Sequence, residues 1–314
     1  MSPYPSAGSI AVHRSSNASA AAVATLAGVC ANILMGASSL YWRELGDLGP
    51  AAIVCYRVLL SLPTLLIAMA AYGQLSQLRS KIDLKVLGIH LAAAGLIVIN
   101  WTTFIWSAIH GHVVESGLGY LIAPCVAIGV GVGFFGDKLD RVRALALAVI
   151  GAAVVLLIAK SGELNHGVYL AIGGSWGVYA CLKKLTRLDA LSGLLVETLF
   201  LSMGCIVLLM ASPVTLAIPE NFPYHSWVML ILAGVASVFP LVLFAYAAGK
   251  LSLSVMGLLQ FVLPTTQFAI ALLIYRQDVS HNSVIAFALI WLALFSIVAR
   301  PFFRSRLGRP STNR

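Results

Sequence analysis

Long apolar runs constrain this sequence more than any other feature. A helix that crosses the hydrocarbon core of a membrane needs about 20 mainly apolar residues. A soluble domain carries about a quarter charged residues, whereas only 10% of this chain is charged and 60% is hydrophobic. The sequence therefore predicts an all-α integral membrane protein with ten transmembrane helices, over roughly residues 18–42, 50–73, 86–109, 113–135, 142–160, 167–184, 189–211, 226–248, 253–275 and 282–300.

The excess of positive charge indicates how these helices are oriented. A net charge of +9 would suggest a nucleic-acid partner in a soluble chain, but here the basic residues fall between the apolar runs. With the N-terminus inside, 16 of the 20 Lys and Arg residues lie on the inner side, which positive residues favour. We therefore expect a multi-pass membrane protein with cytoplasmic termini, namely a tail over residues 1–17 and a basic tail over 301–314.

An internal repeat with an offset of 140 residues relates the two halves of the chain. The segment GLGYLIAP at residues 117–124 recurs as GLLQFVLP at 257–264, and the same offset pairs Arg57 with Glu197. Because each half holds five spans, an odd number, the second half enters the membrane in the opposite direction. The sequence therefore predicts two inverted five-helix repeats, over residues 18–160 and 167–300.

Inverted repeats are typical of secondary transporters, with the substrate site near the midplane between the repeats. Inversion makes the inward- and outward-facing states geometrically equivalent, so alternating access is favoured over a duplication retained only as scaffold. A passive channel would need a continuously open polar path, which such weakly polar spans argue against. A membrane-embedded enzyme would need a catalytic constellation. The Gly-x-Ser-x-Gly match at residues 173–177 lies inside a spanning helix, not at the strand-to-helix elbow of a serine hydrolase.

Several motifs resemble those of a known family. Residues 100–106 (NWTTFIW), 110–120 (HGHVVESGLGY), 258–265 (LLQFVLPT) and 290–296 (IWLALFS) are similar to the drug/metabolite transporter superfamily with two EamA-type domains, in its RarD-like branch. Aromatic amino-acid exporters of the YddG type are similar in plan. The resemblance implies two inverted five-helix repeats around a central cavity in the bacterial inner membrane. It further implies export of amino acids (aromatic and other neutral ones) or related metabolites, or alternatively of drugs. Met35 stands where the family has an aromatic residue before a glycine.

Aromatic and polar side chains deep in the spans are the predicted substrate site. Aromatic faces with a few placed polar groups suit a small amphipathic molecule, although each ring alone is about as typical of packing between helices. The predicted substrate-binding residues are Asn100, Trp101, Tyr120, Trp176, Tyr179, Tyr246 and Gln260.

Three prolines within the spans, Pro124, Pro240 and Pro264, predict helix breaks or hinges. A proline removes a backbone donor and leaves the carbonyl four residues earlier without its usual partner. For Pro124 and Pro264 these carbonyls belong to Tyr120 and Gln260. Unpaired backbone at this depth is tolerated where it lines a cavity, and a packing kink is the alternative.

Three charged residues in or beside the spans are predicted gate or coupling charges: Arg57, Glu115 and Glu197. Intramembrane charges are functional candidates by default. We expect Arg57 near the outer side to pair with Glu115, and Glu197 near the inner side to pair with Lys183 or Lys184. A clamp or gate at each end is favoured over binding of a substrate carboxylate by Arg57. The glutamates are either proton carriers or salt-bridge partners, which leaves proton coupling open.

Nothing in the sequence indicates a cofactor, a metal or ATP-driven transport. His110, His112 and Glu115 lack a fourth ligand, and no phosphate-binding loop is present. The five cysteines form no CxxC pair, which argues against zinc and disulfides. We expect the partners to be a small-molecule substrate and the lipid bilayer, without nucleic acid, and the chain to function as a monomer.

Overall fold

The computed structural model describes residues 7–136, 141–160, 162–211, 214, 216–251, 255–256 and 259–307, with side chains described between residues 20 and 296 except at 135, 142 and 143. The described part of the chain is helical and contains no strand. Lys138, the repeat positions Gly257 and Leu258, and the last tail arginines Arg309 and Arg314 lie outside the described residues.

Eleven α-helices follow one another along the described residues, with one short 3₁₀ turn over Gly46–Leu48. They are α1 (Ala7–Arg43), α2 (Pro50–Ala71), α3 (Leu75–Lys81), α4 (Leu84–Ile109), α5 (Val113–Phe135), α6 (Arg141–Lys160), α7 (His166–Lys184), α8 (Ala190–Ala211), α9 (Tyr224–Ala248), α10 (Val262–Leu273) and α11 (His281–Leu307).

The prediction of an all-helical membrane protein is confirmed. Six helices are long and apolar enough to cross a membrane, and shorter apolar helices cover Ala144–Lys160, Val262–Leu273 and His281–Ser296. The number of ten spans stays a prediction. Three bounds differ from those predicted. Helix α1 already begins at Ala7, inside the expected tail, and α11 continues to Leu307, inside the expected basic tail. In the ninth run, a turn at Gln260 and Phe261 precedes α10, which begins at Val262.

The helix ends follow from local sequence. Pro50 opens α2 after Gly49, a position where proline's missing N–H is not needed. The Asp83 side chain caps α4 by accepting a hydrogen bond from the Val86 N–H at 2.7 Å. Between α4 and α5, Gly111 has a φ of 78°, which a residue with a side chain rarely adopts. The turn there is short enough to make α4 and α5 a helical hairpin.

The helix boundaries recur at the same 140-residue offset as the sequence motif. Helix α8 (Ala190–Ala211) repeats the bounds of α2 (Pro50–Ala71), and α9 begins 140 residues after α4. Helix α11 likewise begins 140 residues after α6. Packing recurs as well, because α1 packs on α9 as α7 packs on α4, and α1 packs on α10 as α7 packs on α5.

The prolines interrupt the helices less than expected. Helices α5 and α9 continue through Pro124 and Pro240, so neither helix is interrupted there. Only Pro264 follows an interruption, since Gln260 and Phe261 form a turn immediately before α10. Whether any of these positions serves as a hinge remains a prediction.

Glycines bring α5 and α7 into close contact. An ideal Cβ at Gly119 would lie 2.7 Å from Ile172 Cβ, and one at Gly173 would lie 3.0 Å from the Gly119 carbonyl oxygen. Small residues let membrane helices approach closely enough for dense van der Waals packing. The close approach at Gly119 and Gly173 keeps α5 and α7 adjacent beside the cavity described below.

We expect Gly177→Ala to destabilise the bundle, because the added Cβ would lie 2.6 Å from the Ala123 carbonyl oxygen and 2.6 Å from Val126 Cβ. Overpacking of this kind costs about 1–3 kcal/mol. The matched control is Gly174→Ala on the same helix, where a Cβ meets no described atom within 4 Å. Thermal unfolding of the purified protein should show a lower midpoint only for Gly177→Ala, and equal midpoints would contradict this packing.

Candidate functional site

A cavity of about 80 Å³ lies between helices of both halves of the chain. Its lining comes from α1, α2, α4 and α5 of the first half and from α7, α8, α9 and α10 of the second, with none of the described residues of α6 or α11. The lining residues are Met35, Ser38, Trp42, Arg57, Ile97, Trp101, Phe104, Tyr120, Trp176, Tyr179, Leu194, Ala236, Ser237, Pro240, Leu241 and Leu263.

Four of the seven predicted substrate-binding residues line this cavity: Trp101, Tyr120, Trp176 and Tyr179. The last three form a connected aromatic wall. The ring centroids of Tyr120 and Trp176 lie 5.9 Å apart in an edge-to-face arrangement, and those of Trp176 and Tyr179 lie 5.2 Å apart and stacked. Rings fixed in this way offer a preformed apolar surface to a planar molecule.

The other three predicted residues are placed elsewhere. Gln260 is exposed in the turn before α10, and Tyr246 is 40% exposed; neither lines the cavity. Asn100 is buried behind the aromatic wall, where it accepts a hydrogen bond from the Tyr120 hydroxyl at 2.8 Å and donates to Ser175 Oγ at 3.2 Å. Asn100 therefore positions Tyr120 and connects α4, α5 and α7.

Arg57 lines the cavity between two indole rings. Its Cζ lies 3.8 Å from the centroid of the Trp101 ring and 4.9 Å from that of Trp42. The residue is only 9% exposed, and its Nε and Nη1 atoms have no hydrogen-bond partner among the described residues. The expected pair with Glu115 is not formed, because Glu115 is bound to other groups.

Cation–π contacts with the two indoles compensate only part of the cost of burying the Arg57 guanidinium. A desolvated cation–π contact contributes about 2 kcal/mol, whereas burying an ion without a counter-charge costs several kcal/mol. Two indole rings lie within 5 Å of the Arg57 Cζ atom. Neither ring supplies an oxygen or anionic acceptor for the N–H donors of the guanidinium.

At the other end of the cavity, Glu197 is fully buried and fully partnered. Its Oε1 lies 2.7 Å from His90 Nδ1 and accepts from Lys183 Nζ at 2.9 Å, and its Oε2 accepts from the Tyr179 hydroxyl at 3.0 Å. The predicted pairing with Lys183 is confirmed. Tyr179 lines the cavity, so this Glu197 cluster (Glu197, His90, Lys183 and Tyr179) is one side chain removed from it.

A glycine and a threonine complete the surroundings of the Glu197 cluster. A Cβ at Gly193 would overlap Lys183 Nζ and lie 2.7 Å from His90 Cε1, so the absence of a side chain there makes room for both. The second ring nitrogen of His90, Nε2, lies 2.9 Å from the Thr186 hydroxyl. Polar contacts therefore run from the cavity wall to the loop between α7 and α8.

Glu115 forms a second buried cluster, at the N-terminal end of α5. Its Oε1 lies 2.8 Å from His112 Nδ1 and accepts from the Asn165 N–H at 3.1 Å, while Oε2 accepts from Gln277 Nε2 at 2.6 Å. Glu115 is 0% exposed. The carboxylate therefore connects α5 with the loop before α7 and with the loop after α10.

The same two loops are joined by a carboxylate outside the spans. Glu163 Oε1 accepts from the Ser283 hydroxyl at 2.8 Å and from the Ser280 N–H at 3.3 Å. Hydrogen bonds from Ser280, followed by those from Ser283, hold the pKa of the Glu163 carboxyl below its ordinary value, because they stabilise the charged form. The two hydrogen bonds to Glu163 connect the start of α11 with the loop before α7, which also contacts Glu115.

Comparison with known proteins decides the family. The chain is similar to the uncharacterized transporter YojE of Bacillus subtilis, at 34% identity over 83% of this chain and 89% of the relative. It is similar to RarD of Streptomyces exfoliatus, at 31% identity over 83% of each chain, and to RarD of Escherichia coli, at 28% identity over 90% and 95%. The chain belongs to the RarD family. This family is part of the drug/metabolite transporter superfamily, so the protein is a membrane-embedded transporter and not an enzyme.

A solved crystal structure supports the RarD-family fold. It matches 91% of this chain and 99% of its own with a TM-score of 0.59, at 19% identity, a level at which the likeness concerns the fold alone. No protein-family model matches the chain, so the assignment of each half to an EamA-type domain remains a prediction.

Sequence reasoning on this RarD-family chain missed two features of the site. The first is His90, which completes the Glu197 cluster. A single histidine near the start of an apolar run is unusual, so His90 could have been predicted as a functional residue. Trp42 follows Met35 and Ser38 on one helical face of α1, a spacing of three and four residues that places them together. Among the described residues, no group of three or more His, Cys, Asp and Glu could hold a metal.

Glu197→Gln should lower the thermal midpoint of the protein by several degrees. The substitution keeps the side-chain shape but leaves the partly buried Lys183 without its counter-charge, and breaking buried pairs costs about 3–5 kcal/mol. The matched control is Asp83→Asn, because the Asp83–Arg187 pair is exposed, at 48% and 60%, and asparagine also caps helices. Differential scanning fluorimetry measures both, and a shift no larger than that of Asp83→Asn would contradict a stabilising role.

Proposed function

We propose that this RarD-family protein is a secondary transporter that moves amino acids (aromatic and other neutral ones) or related small metabolites out of the cell across the inner membrane by alternating access. The observation that carries the proposal is the aromatic cavity enclosed between the two halves of the chain. Pockets for small molecules are mainly apolar, with a few placed polar groups, and this lining fits that description. The outward direction rests on the family resemblance.

The repeated helix boundaries support an inverted-repeat architecture of ten spans. In our proposal, α1, α2, α4, α5 and α6 form the first repeat, and α7, α8, α9, the ninth run with α10, and α11 form the second. The cavity draws its lining from the first four spans of each repeat. A site shared equally by two inverted repeats can face either side of the membrane, as alternating access requires.

The two carboxylate clusters suit the ends of such a pathway. Glu197 of the second repeat contacts His90 of the first, and Glu115 of the first contacts Asn165 and Gln277 of the second part of the chain. Alternating access requires contacts between the repeats to form at one end while they open at the other. We assign the Glu197 cluster to the inner gate and the Glu115 cluster to the outer gate.

Trp176→Ala should abolish most transport of aromatic substrates while the protein remains folded, because it removes the central ring of the aromatic wall. Counterflow of a panel of labelled amino acids into proteoliposomes, with and without a proton gradient, measures this. Stimulation by the gradient would add protons as a coupling ion.

The matched control for Trp176→Ala is Trp227→Ala, since Trp227 is 41% exposed and does not line the cavity. We expect this variant to transport like the parent. Equal loss in both variants would contradict the assignment of the cavity as the substrate site, and the absence of any saturable exchange by the parent protein would contradict amino acids as substrates.

Alternating access predicts that a cysteine in the cavity changes its reactivity when substrate is added. Ser38→Cys places a thiol in the lining from α1, and it is made in a Cys30→Ser background because Cys30 is half-buried on the same helix. The rate of labelling by a membrane-impermeant thiol reagent, applied from each side of the membrane, should rise on one side and fall on the other with substrate. The control is Ser80→Cys on α3, which we expect to react from the cytoplasmic side at the same rate with and without substrate. Labelling of Ser38→Cys at a rate that does not depend on substrate would contradict alternating access.

A further inference from the structure

We infer that Arg57 is the anion-binding residue of the cavity, and that the transported molecule is a small aromatic or planar monocarboxylate. The inference rests on the proposed function and, within it, favours related monocarboxylate metabolites over zwitterionic amino acids as the substrates of the same site. It departs from the sequence-based preference for Arg57 as a gate, because the expected gate partner Glu115 is occupied by His112, Asn165 and Gln277.

The first step of the argument is the geometry of the guanidinium. Trp101 and Trp42 lie over the Arg57 side chain, with ring centroids 3.8 and 4.9 Å from Cζ. Among the described residues, Nε and Nη1 have no acceptor although both atoms are buried. A guanidinium binds a carboxylate through two parallel N–H groups, either those of Nε and Nη2 or those of Nη1 and Nη2. Nε and Nη1 of Arg57 each belong to one of these pairs and have no acceptor among the described residues, so this cavity-lining side chain is suited to bind such a ligand.

The second step compares Arg57 with the other buried charges. Both buried glutamates, Glu115 and Glu197, are satisfied by three protein groups each. The 140-residue repeat relates Arg57 to Glu197. At these equivalent positions, Glu197 is paired with protein groups, whereas Nε and Nη1 of Arg57 have no acceptor among the described residues. Buried ions in proteins are ordinarily paired. The missing partner of Arg57 is therefore assigned to the ligand.

The third step concerns net charge. The described lining contains one cation, Arg57, and no Asp or Glu, because Glu197 lies behind Tyr179 and is bound to Lys183 and His90. The ammonium group of a zwitterionic amino acid would find hydroxyls there but no counter-charge. Charge complementarity therefore favours a ligand with a net negative charge over an amino acid that has the same ring.

The aromatic wall supplies the remainder of the recognition. Trp176 stacks on Tyr179 and meets the edge of Tyr120, so a planar ring can pack on this wall while a carboxylate reaches Arg57. The expected ligand has its acidic group at one end and its apolar ring at the other.

The test is equilibrium binding of labelled 3-phenylpropionate to the purified full-length protein, with competition by three relatives of the same skeleton: 3-phenylpropionamide (neutral), 3-phenylpropylamine (cationic) and L-phenylalanine (zwitterionic). We expect the carboxylate to bind roughly 10- to 100-fold more tightly than the amide, the range that one charge-assisted hydrogen-bonded contact provides. L-Phenylalanine should compete more weakly than 3-phenylpropionate, and the amine least.

Arg57→Gln should bind the carboxylate and the amide about equally, and Arg57→Lys should fall between, since lysine keeps the charge but lacks the planar fork. The control Arg43→Gln should bind like the parent, because Arg43 is exposed and stacks on Tyr275 outside the cavity. If Arg57→Gln does not fold, the carboxylate-to-amide ratio in the parent and in Arg57→Lys decides.

Equal binding of the four probes by the parent protein, binding of none, or an undiminished carboxylate preference in Arg57→Gln would overturn the inference. These outcomes are distinct from failure of the proposed function. Counterflow of amino acids without carboxylate preference leaves transport standing and removes the anion assignment, whereas carboxylate binding without exchange leaves the anion site and contradicts transport.

Discussion

The burial of two carboxylates among apolar helices is the constraint on which the arrangement of this protein depends. An ion taken out of water needs hydrogen bonds and opposite charge around it, and Glu197 obtains both only because α4, α7 and α8 meet at one place. His90, Tyr179 and Lys183 come from two of these helices. The requirement fixes the relative position of elements that lie about 100 residues apart in the chain. Glu115 imposes the same requirement on the opposite end of the bundle.

Arg57 shows the opposite outcome of the same constraint. Its two neighbouring indoles stabilise the cation but accept no hydrogen bonds from its N–H groups. The guanidinium can therefore remain buried in the folded protein and still bind an anionic ligand. The aromatic wall of Tyr120, Trp176 and Tyr179 also touches the Glu197 cluster through the Tyr179 hydroxyl. A ligand that packs against this wall would therefore contact a residue of the Glu197 cluster directly, which provides a physical link between occupancy of the cavity and the inner gate that we propose.

Hydropathy was sufficient to predict the helices, because the ten predicted runs coincide with the long helices to within a few residues at most ends. The exceptions have local causes. The turn at Gln260 and Phe261 precedes a proline, and the helical start of α1 lies in a polar segment that carries no hydropathy signal. The site was harder to predict. Four cavity residues could be predicted because aromatic residues deep in a span are unusual: Trp101, Tyr120, Trp176 and Tyr179.

The partners of the charges could not be read from the sequence, because they depend on helix rotation and on contacts between distant segments. Arg57 and Glu115 both lie in the N-terminal parts of their helices and carry opposite signs, yet Gln277 and Asn165 reach Glu115. Asn100 looked like a ligand-binding amide, but its carbonyl oxygen accepts from Tyr120 and its amide nitrogen donates to Ser175. Depth alone predicts which residues can meet, whereas rotation about the helix axis decides which of them do.

Packing also indicates which parts would move in the proposed mechanism. Helix α7 packs on α4 and α5, and its symmetry mate α1 packs on α9 and α10. Each group therefore combines helices of both sequence halves. The two groups also pack on each other, α5 on α10 and α1 on α4, so these contacts would have to change if the groups moved against each other in the proposed mechanism. Gly119, Gly173 and Gly177 tighten the first group, and Gly36, whose added Cβ would lie 2.9 Å from the Leu263 carbonyl oxygen, tightens the second. The cavity lies between the two groups, with Trp101, Tyr120, Trp176 and Tyr179 on one and Met35, Ser38 and Trp42 on the other. The aromatic wall on α5 and α7 therefore faces α1 across the cavity. In the proposed mechanism, a small ligand would bind between these two surfaces and dissociate when they separate.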